Sequence, residues 1–188
     1  MRNLEIKAAV DSLAAVRRRL RVLEGATRHA SLRQTDWYFR VPKGRLKLRQ
    51  VGARRDAELI AYLRPDRTSA RTSEFQRLRT SDAAGTRRLL ERMLGPRTCV
   101  RKRREVWLYT NARIHLDTVE GLGRFIEIEV VVTEGMPQAR ARMKELRDVL
   151  GIRAKDLIPG SYSNMPGERR ASMREGREAR GEKPASAR

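Results

Sequence analysis

Apolar and polar residues alternate with a period of two along much of this chain, as they do in strands with one buried and one polar face. The alternation is clear near the start, where Leu4 and Ile6 alternate with Glu5 and Lys7. We predict strands at 3–8, 35–41, 45–51, 57–64, 72–80, 98–109, 112–118 and 124–132.

Three other segments repeat apolar residues at helical spacing. The first helix is predicted to follow Asp11, its candidate N-cap, and to end before Gly25, with Leu13, Val16 and Leu20 on its apolar face. The other two predicted helices run from an N-cap at Ser81 or Asp82 to Leu94, and over 138–150.

The number and spacing of the strands predict the fold. About eight short strands in succession are typical of a closed antiparallel barrel, which at this size can hold one small ligand. We therefore predict an α+β protein: a closed eight-stranded antiparallel β-barrel, or tunnel, with helices packed outside. One domain is expected over 1–165. Residues 166–188 are rich in Gly, Glu, Arg, Ala and Ser and include only one bulky apolar residue, Met173, so we expect a disordered basic tail.

Charge narrows the class of partner. The 188 residues include 43 Lys and Arg against 23 Asp and Glu, a formal net charge of +20, which favours polyphosphate, nucleic acid or an acidic membrane surface as partner. Cys99 is the only cysteine, which excludes an intramolecular disulfide and a cysteine-rich zinc site. No run of about 18 apolar residues predicts a membrane span and no signal peptide is visible, so a cytoplasmic protein is expected. The sequence is also compatible with a homodimer.

The polar faces of the predicted strands carry the candidate chemistry. Acidic residues lie on the first and last strands, and basic residues lie on the middle ones. For any single strand, the simpler interpretation is a face in open solvent. In a closed barrel, however, these faces would share one lumen, with carboxylates for a divalent cation and basic groups for phosphoryl oxygens. His115 shares a strand face with Asp117 and is either a hydrogen-bonded structural residue or an aid to proton transfer. We assign no catalytic residue, because the chain shows no P-loop, zinc-ligand spacing or nucleophile elbow.

Several segments, in order, resemble the motifs of the CYTH superfamily, which includes class IV adenylate cyclases, thiamine triphosphatases and inorganic triphosphatases. Residues 3–7, Asn-Leu-Glu-Ile-Lys, resemble the amino-terminal Glu-x-Glu-x-Lys signature. The chain also resembles the class IV adenylate cyclase-like branch in its closing motif, 160–162, Gly-Ser-Tyr. The other similar segments are 44–49, 59–65, 100–104 and 115–129, so the resemblance covers roughly residues 2–164.

This resemblance implies a tunnel that binds a triphosphate together with Mg²⁺ or Mn²⁺. It implies these metal ligands, or supports for them: Glu5, Asp117, Glu127 and Glu129. It implies these triphosphate contacts: Lys7, Lys47, Arg49, Arg64, Lys102 and Arg104. One departure concerns the metal, because Asn3 stands where the signature has its first Glu and offers a neutral oxygen instead of a charge.

Three functions follow as hypotheses. The first is a metal-dependent phosphohydrolase or cyclase acting on a triphosphate, either inorganic tripolyphosphate, thiamine triphosphate or ATP. The second is a non-catalytic sensor of polyphosphate or nucleotide, consistent with Asn3 and the positive charge. The third is a nucleic-acid-binding protein, ranked last because no recognised reading module is present and no specific nucleic acid is expected.

Overall fold

The computed structural model describes residues 3–63 and 71–165. The strands are β1 (Asn3–Ala9), β2 (Thr27–Phe39), β3 (Arg45–Val51), β4 (Ala57–Leu63), β5 (Arg71–Thr80), β6 (Pro96–Tyr109), β7 (Ala112–Val119) and β8 (Gly123–Val131). The helices are α1 (Leu13–Val22), α2 (Ala83–Leu94) and α3 (Met136–Leu150), followed by two 3₁₀ helices, Ala154–Asp156 and Tyr162–Asn164.

The eight strands form an antiparallel barrel in the order β1-β5-β4-β3-β2-β6-β7-β8. Strand β1 completes the ring because it pairs with both β8 and β5. Its pairing with β8 runs from Asn3 to Ala9, whereas its pairing with β5 covers only Asn3 to Glu5. The predicted eight-stranded antiparallel architecture with helices outside is confirmed, and its closure depends on this short β1–β5 seam.

Helices α1 and α3 pack on the outside of the barrel over β1, β7 and β8. In α3 the buried side chains are Ala139, Met143, Leu146 and Leu150, whose spacing of three or four residues places them on one stripe. In α1 the buried side chains are Val16 and Leu20. The strands contribute fully buried partners to the same core: Leu4, Ile6, Ile114, Leu116, Ile126, Ile128 and Val130.

This packing decides which way the strands face. Burying one Leu or Ile side chain stabilises a fold by about 1.5–3 kcal/mol, so the apolar faces of β1, β7 and β8 are fixed under the helices. Because successive side chains of a strand point to opposite faces, Glu5, Lys7, His115, Glu127 and Glu129 point into the barrel.

Helix α2 covers a separate part of the wall. Its Leu90 and Leu94 pack against Phe39 of β2 and Leu48 of β3, both buried. The opposite faces of those two strands again point inward.

The structure corrects several predicted boundaries. The N-cap of α1 is Ser12, whose hydroxyl accepts a hydrogen bond from the Ala15 amide at 3.3 Å, and not Asp11. The N-cap of α2 is Asp82, one of the two predicted. Strand β2 begins at Thr27 instead of residue 35, and β6 begins at Pro96 instead of residue 98. Helix α3 begins two residues early, at Met136, with Pro137 in its first turn.

Some predictions fall outside the described part of the chain. These are the predicted phosphate contact Arg64 and the predicted tail, 166–188. Within the described residues, no helix has the length and apolar character that a membrane span requires.

Candidate functional site

A cavity of about 500 Å³ occupies the inside of the barrel. All eight strands contribute side chains to its lining, and Ser161 and Tyr162 contribute from the segment after α3. The predicted metal ligands of the lining come from β1 and β8 and His115 comes from β7, which together form an acidic wall, whereas most of the predicted phosphate contacts come from β3 and β6 and form a basic wall. Asp56, Glu58 and Arg113 also line the cavity. The cavity is therefore a polar lumen with chemically different walls.

The acidic wall brings together three groups that could hold one metal ion. One ligand atom each from His115, Glu127 and Glu129 lies within 4.8 Å of the others. The His115 Nδ1 atom is 3.5 Å from Glu127 Oε2 and 3.8 Å from Glu129 Oε1. Strand pairing places Glu5 directly opposite Glu129, so a third carboxylate joins this wall from β1.

Two buried polar atoms on this wall fit a bound cation. The side chains of Asn3 and His115 are 5% and 6% exposed, and among the described residues neither Asn3 Oδ1 nor His115 Nδ1 has a hydrogen-bond partner. Buried polar atoms are usually satisfied. Oxygen and imidazole donors together suit a divalent cation such as Mn²⁺. The donor set therefore fits the metal that the resemblance implies.

Glu127 is also held by two cations. Lys7 Nζ lies 2.6 Å from Glu127 Oε1, and an Arg104 terminal nitrogen lies 2.7 Å from Glu127 Oε2. Burial raises the pKa of Glu127, but Lys7 and Arg104 outweigh that effect and hold its pKa well below the usual value. Burial lowers the pKa of Lys7 despite the adjacent carboxylates.

Asp117 lies behind Arg104. It is 0% exposed, and its two oxygens accept hydrogen bonds from Arg104 at 2.7 and 2.6 Å. The Tyr162 hydroxyl also donates to Asp117, at 2.8 Å. Burial raises the pKa of Asp117, but Arg104 and its hydrogen bonds outweigh this and keep the pKa far below normal. The structure thus places Asp117 as a support for Arg104.

The basic wall is organised around Asp36 of β2. Arg49 donates to both Asp36 oxygens, at 2.7 and 2.8 Å, in a bidentate pair. Lys47 Nζ lies 3.2 Å and Lys102 Nζ 3.6 Å from Asp36 Oδ2. Three predicted phosphate contacts from two strands therefore share one carboxylate.

Besides Lys7 and Glu127, two further groups that line the cavity have a pKa below the ordinary value. Burial lowers the pKa of Lys102 well below that of a free lysine, and the nearby Arg104 lowers it further. Burial also lowers the pKa of His115, with Arg104 adding to the effect, so its imidazole is neutral near pH 7.

The predicted site residues mostly meet in this one cavity. Of the six predicted phosphate contacts, five lie in the described part of the chain, and all five line the cavity: Lys7, Lys47, Arg49, Lys102 and Arg104. The predicted metal ligands Glu5, Glu127 and Glu129 line it too. Sequence reasoning missed Asp36, although its position between Gln34 and Tyr38 on one strand face was a usable signal. It also missed these cationic residues of the lining: Arg54, Arg77, Arg79 and Arg113.

Comparison with known proteins agrees with this architecture. The family model for the CYTH domain matches residues 1–162. The chain belongs to the CYTH family. A search of curated proteins finds no match.

Solved structures resemble this CYTH domain over most of its length. A protein from Pyrococcus horikoshii OT3 is 25% identical, with a TM-score of 0.75 over 86% of this chain and 97% of its own. A proposed adenylate cyclase from Vibrio parahaemolyticus is 20% identical, with a TM-score of 0.67 over 85% and 94%. A proposed adenylyl cyclase from Hippeastrum, described with a dominant triphosphatase activity, is 17% identical, with a TM-score of 0.61 over 93% and 96%.

Proposed function

We propose that this CYTH domain binds a triphosphate or polyphosphate in its lumen and cleaves it with a divalent metal ion. The observation that carries the proposal is the convergence of five basic residues on one cavity that also holds Glu5, Glu127 and Glu129; the basic residues are Lys7, Lys47, Arg49, Lys102 and Arg104. Like charges in a confined, poorly solvated space repel one another, and a polyanion relieves that repulsion. Two solved structures with a similar fold, one described as a proposed adenylate cyclase and one with a dominant triphosphatase activity, support the same substrate class.

The two walls would have different tasks. Guanidinium and ammonium groups of the basic wall bind phosphoryl oxygens, and Arg49 can present its planar group in a fixed orientation because Asp36 holds it. Glu5, Glu127, Glu129 and His115 would hold the metal, with Asn3 supplying a neutral oxygen beside them. A bound Mg²⁺ or Mn²⁺ would neutralise charge on the phosphate oxygens.

The residues of the lumen then favour cleavage by positioning the substrate and by stabilising its charge. They fix the phosphate chain between the walls, and Arg104, itself held by Asp117 and Glu127, places positive charge where the acidic and basic walls meet. Positioning and charge stabilisation are the main contributions that a protein makes to phosphoryl transfer. His115 is neutral near pH 7, the form in which an imidazole nitrogen can bind a metal ion.

Product analysis distinguishes the two reactions within this proposal. Hydrolysis releases phosphate or pyrophosphate from tripolyphosphate, thiamine triphosphate or ATP, whereas cyclisation releases pyrophosphate from ATP and forms a cyclic nucleotide. The test is turnover of these three substrates at rising Mg²⁺ and Mn²⁺, with products identified by chromatography. Absence of turnover with every substrate and both metals would contradict an enzymatic role.

A matched pair of variants tests the location of the site. Lys102 and its neighbour Arg103 lie on one strand, but Lys102 lines the cavity and Arg103 is exposed outside. Lys102→Met should reduce affinity for tripolyphosphate at least tenfold, and Arg103→Met should leave it within twofold. Equal losses in both variants would mean that binding is a diffuse surface effect.

A non-catalytic polyphosphate or nucleotide sensor is the second candidate. The observation that favours it is Asn3, buried on the acidic wall in place of a charged ligand. Tight tripolyphosphate binding in calorimetry without turnover would support this candidate.

A further inference from the structure

We propose that Asp36 is a positioning residue of the basic wall: it orients Arg49 and holds Lys47 and Lys102 beside it, so that a buried acidic side chain strengthens binding of a polyanion. This inference rests on the proposed function only in that the lumen binds a phosphate chain. It adds a role for a residue that is not itself a candidate to touch that chain.

Geometry is the first support. Asp36 is 1% exposed, and both of its oxygens are occupied by the Arg49 fork at 2.7 and 2.8 Å. A bidentate pair fixes the plane of a guanidinium group as well as its position. Strand register explains the contact, because Asp36 of β2 is the direct cross-strand partner of Arg49 of β3.

The charge arrangement is the second support. Lys47 and Lys102 reach the same Oδ2 atom at 3.2 and 3.6 Å, so one buried carboxylate balances three cations. Removing one partner of a buried ion pair leaves an uncompensated charge, which is strongly unfavourable. Without Asp36, we expect Lys102 to lose its proton, because this removes part of the uncompensated positive charge.

Several charged or titratable groups act on Lys102. Asp36 and Asp117 favour its protonated form, whereas burial, Arg104 and Arg49 disfavour it. Two further cations lie near Lys102: Lys47, which contacts the same Asp36 oxygen, and Lys7, which lies over the same Tyr162 ring. The Nζ atoms of Lys7 and Lys102 are 4.0 and 5.3 Å from the centroid of that ring. Loss of the Asp36 charge therefore shifts this balance toward neutral lysine.

The sign of the effect on affinity makes the inference testable. By net charge alone, removing an acid from a cationic lumen strengthens binding of a polyanion. If Asp36 positions the wall, Asp36→Asn weakens binding, because the Arg49 fork loses its anchor and Lys102 loses its proton. Asp56→Asn is the matched control, because Asp56 also lines the cavity, is exposed, and makes no ion pair with a described residue.

The experiment is calorimetric titration of the full chain with tripolyphosphate in metal-free buffer from pH 6 to 9.5. We expect Asp36→Asn to lose about tenfold in affinity and Asp56→Asn to bind at least as tightly as the unaltered protein. Affinity falls as pH rises and Lys102 loses its proton, and the midpoint of that fall should move to lower pH in Asp36→Asn.

Each outcome separates this inference from the proposed function. If the unaltered protein does not bind tripolyphosphate, the proposed function fails. If it binds and Asp36→Asn binds equally or more tightly, the positioning role is wrong. Weaker binding with no change in the pH midpoint would also overturn it, since that result indicates only a structural role.

If circular dichroism shows that Asp36→Asn does not fold, a second variant tests the inference. Asp36→Glu keeps the charge but adds one methylene group, which moves the carboxylate relative to Arg49. It should keep the pH midpoint and still lose affinity, and recovery of full affinity would show that charge alone matters.

Discussion

At the residue scale, the acidic wall has one charge fewer than the family signature provides, and this makes its remaining acids sensitive to substitution. Glu129→Gln should abolish metal-dependent binding or turnover while the fold stays intact, because it removes a carboxylate from a group that already has Asn3 in place of Glu. Metal titration followed by calorimetry, with circular dichroism for the fold, checks this. A variant with full metal-dependent activity would contradict the assignment of Glu129.

Placing the acid of the family signature at position 3 tests the role of Asn3. Asn3→Glu places a charge at a buried oxygen that has no hydrogen-bond partner in the described part of the chain, so Mn²⁺ affinity should rise by about tenfold, or ~1.4 kcal/mol. Electron paramagnetic resonance of free Mn²⁺ measures this without any substrate. Asn3→Ala is the control and should not tighten binding.

Individual residues also show what sequence can reveal. Alternation is enough to place Lys47 and Arg49 in the lumen, because Leu46 and Leu48 beside them need covering and a closed barrel has only one other face. It does not place Lys102, because its strand neighbours Arg101 and Arg103 are also basic. It does not reveal that Asp36 holds all three, since that contact depends on the register between β2, β3 and β6. Nor does it reveal that Arg104 separates Asp117 from the open lumen, which depends on side-chain packing.

At the scale of elements, strands and helices with one apolar face were predictable and exposed segments were not. Strand β2 extends back to Thr27 through residues that are mostly exposed, and residues 27–34 offer only Ala30 and Leu32 as alternating apolar positions. The register shift between Arg28 and Ala30 interrupts the period further. The long pairing of β2 with β6 supplies the hydrogen bonds that hold this segment extended.

The start of α1 gives an element-scale prediction. Ser12, not the adjacent Asp11, accepts the hydrogen bond from the first turn. Ser12→Ala should lower the free energy of unfolding by about 1 kcal/mol, whereas Asp11→Ala should change it by less than ~0.5 kcal/mol. Urea denaturation of the two variants compares them directly. A larger loss in Asp11→Ala would show that the cap shifts by one residue in solution.

At the scale of the whole molecule, closure of the barrel turns weak local patterns into a site. Each charged strand face alone is compatible with solvent exposure, and only the ring from β1 to β8 brings acids of the first and last strands opposite cations of the middle ones. Sequence predicted the ring from the strand count. It could not predict the short β1–β5 seam, because seam length depends on how the strands tilt and stagger.

The same enclosure predicts how stability depends on pH. Burial lowers the pKa of Lys102 well below its value in the unfolded chain, about 10.4. Between these two pKa values the unfolded state binds more protons than the folded state, so stability rises with pH until about 10.4. Burial raises the pKa of Tyr38 and Tyr162, which reverses the trend above about 10.

Thermal unfolding from pH 7.5 to 9.5 without ligand tests this expectation. The melting temperature of the unaltered protein should rise across the range, and the rise should be smaller in Lys102→Met, which lacks the Lys102 ammonium group but keeps the buried Lys7. Tripolyphosphate supplies the missing counter-charge, so its stabilising effect should be greater at pH 7.5 than at pH 9.5. A melting temperature that falls with pH, or equal slopes in both proteins, would mean that the pKa of Lys102 is not lowered in the folded barrel.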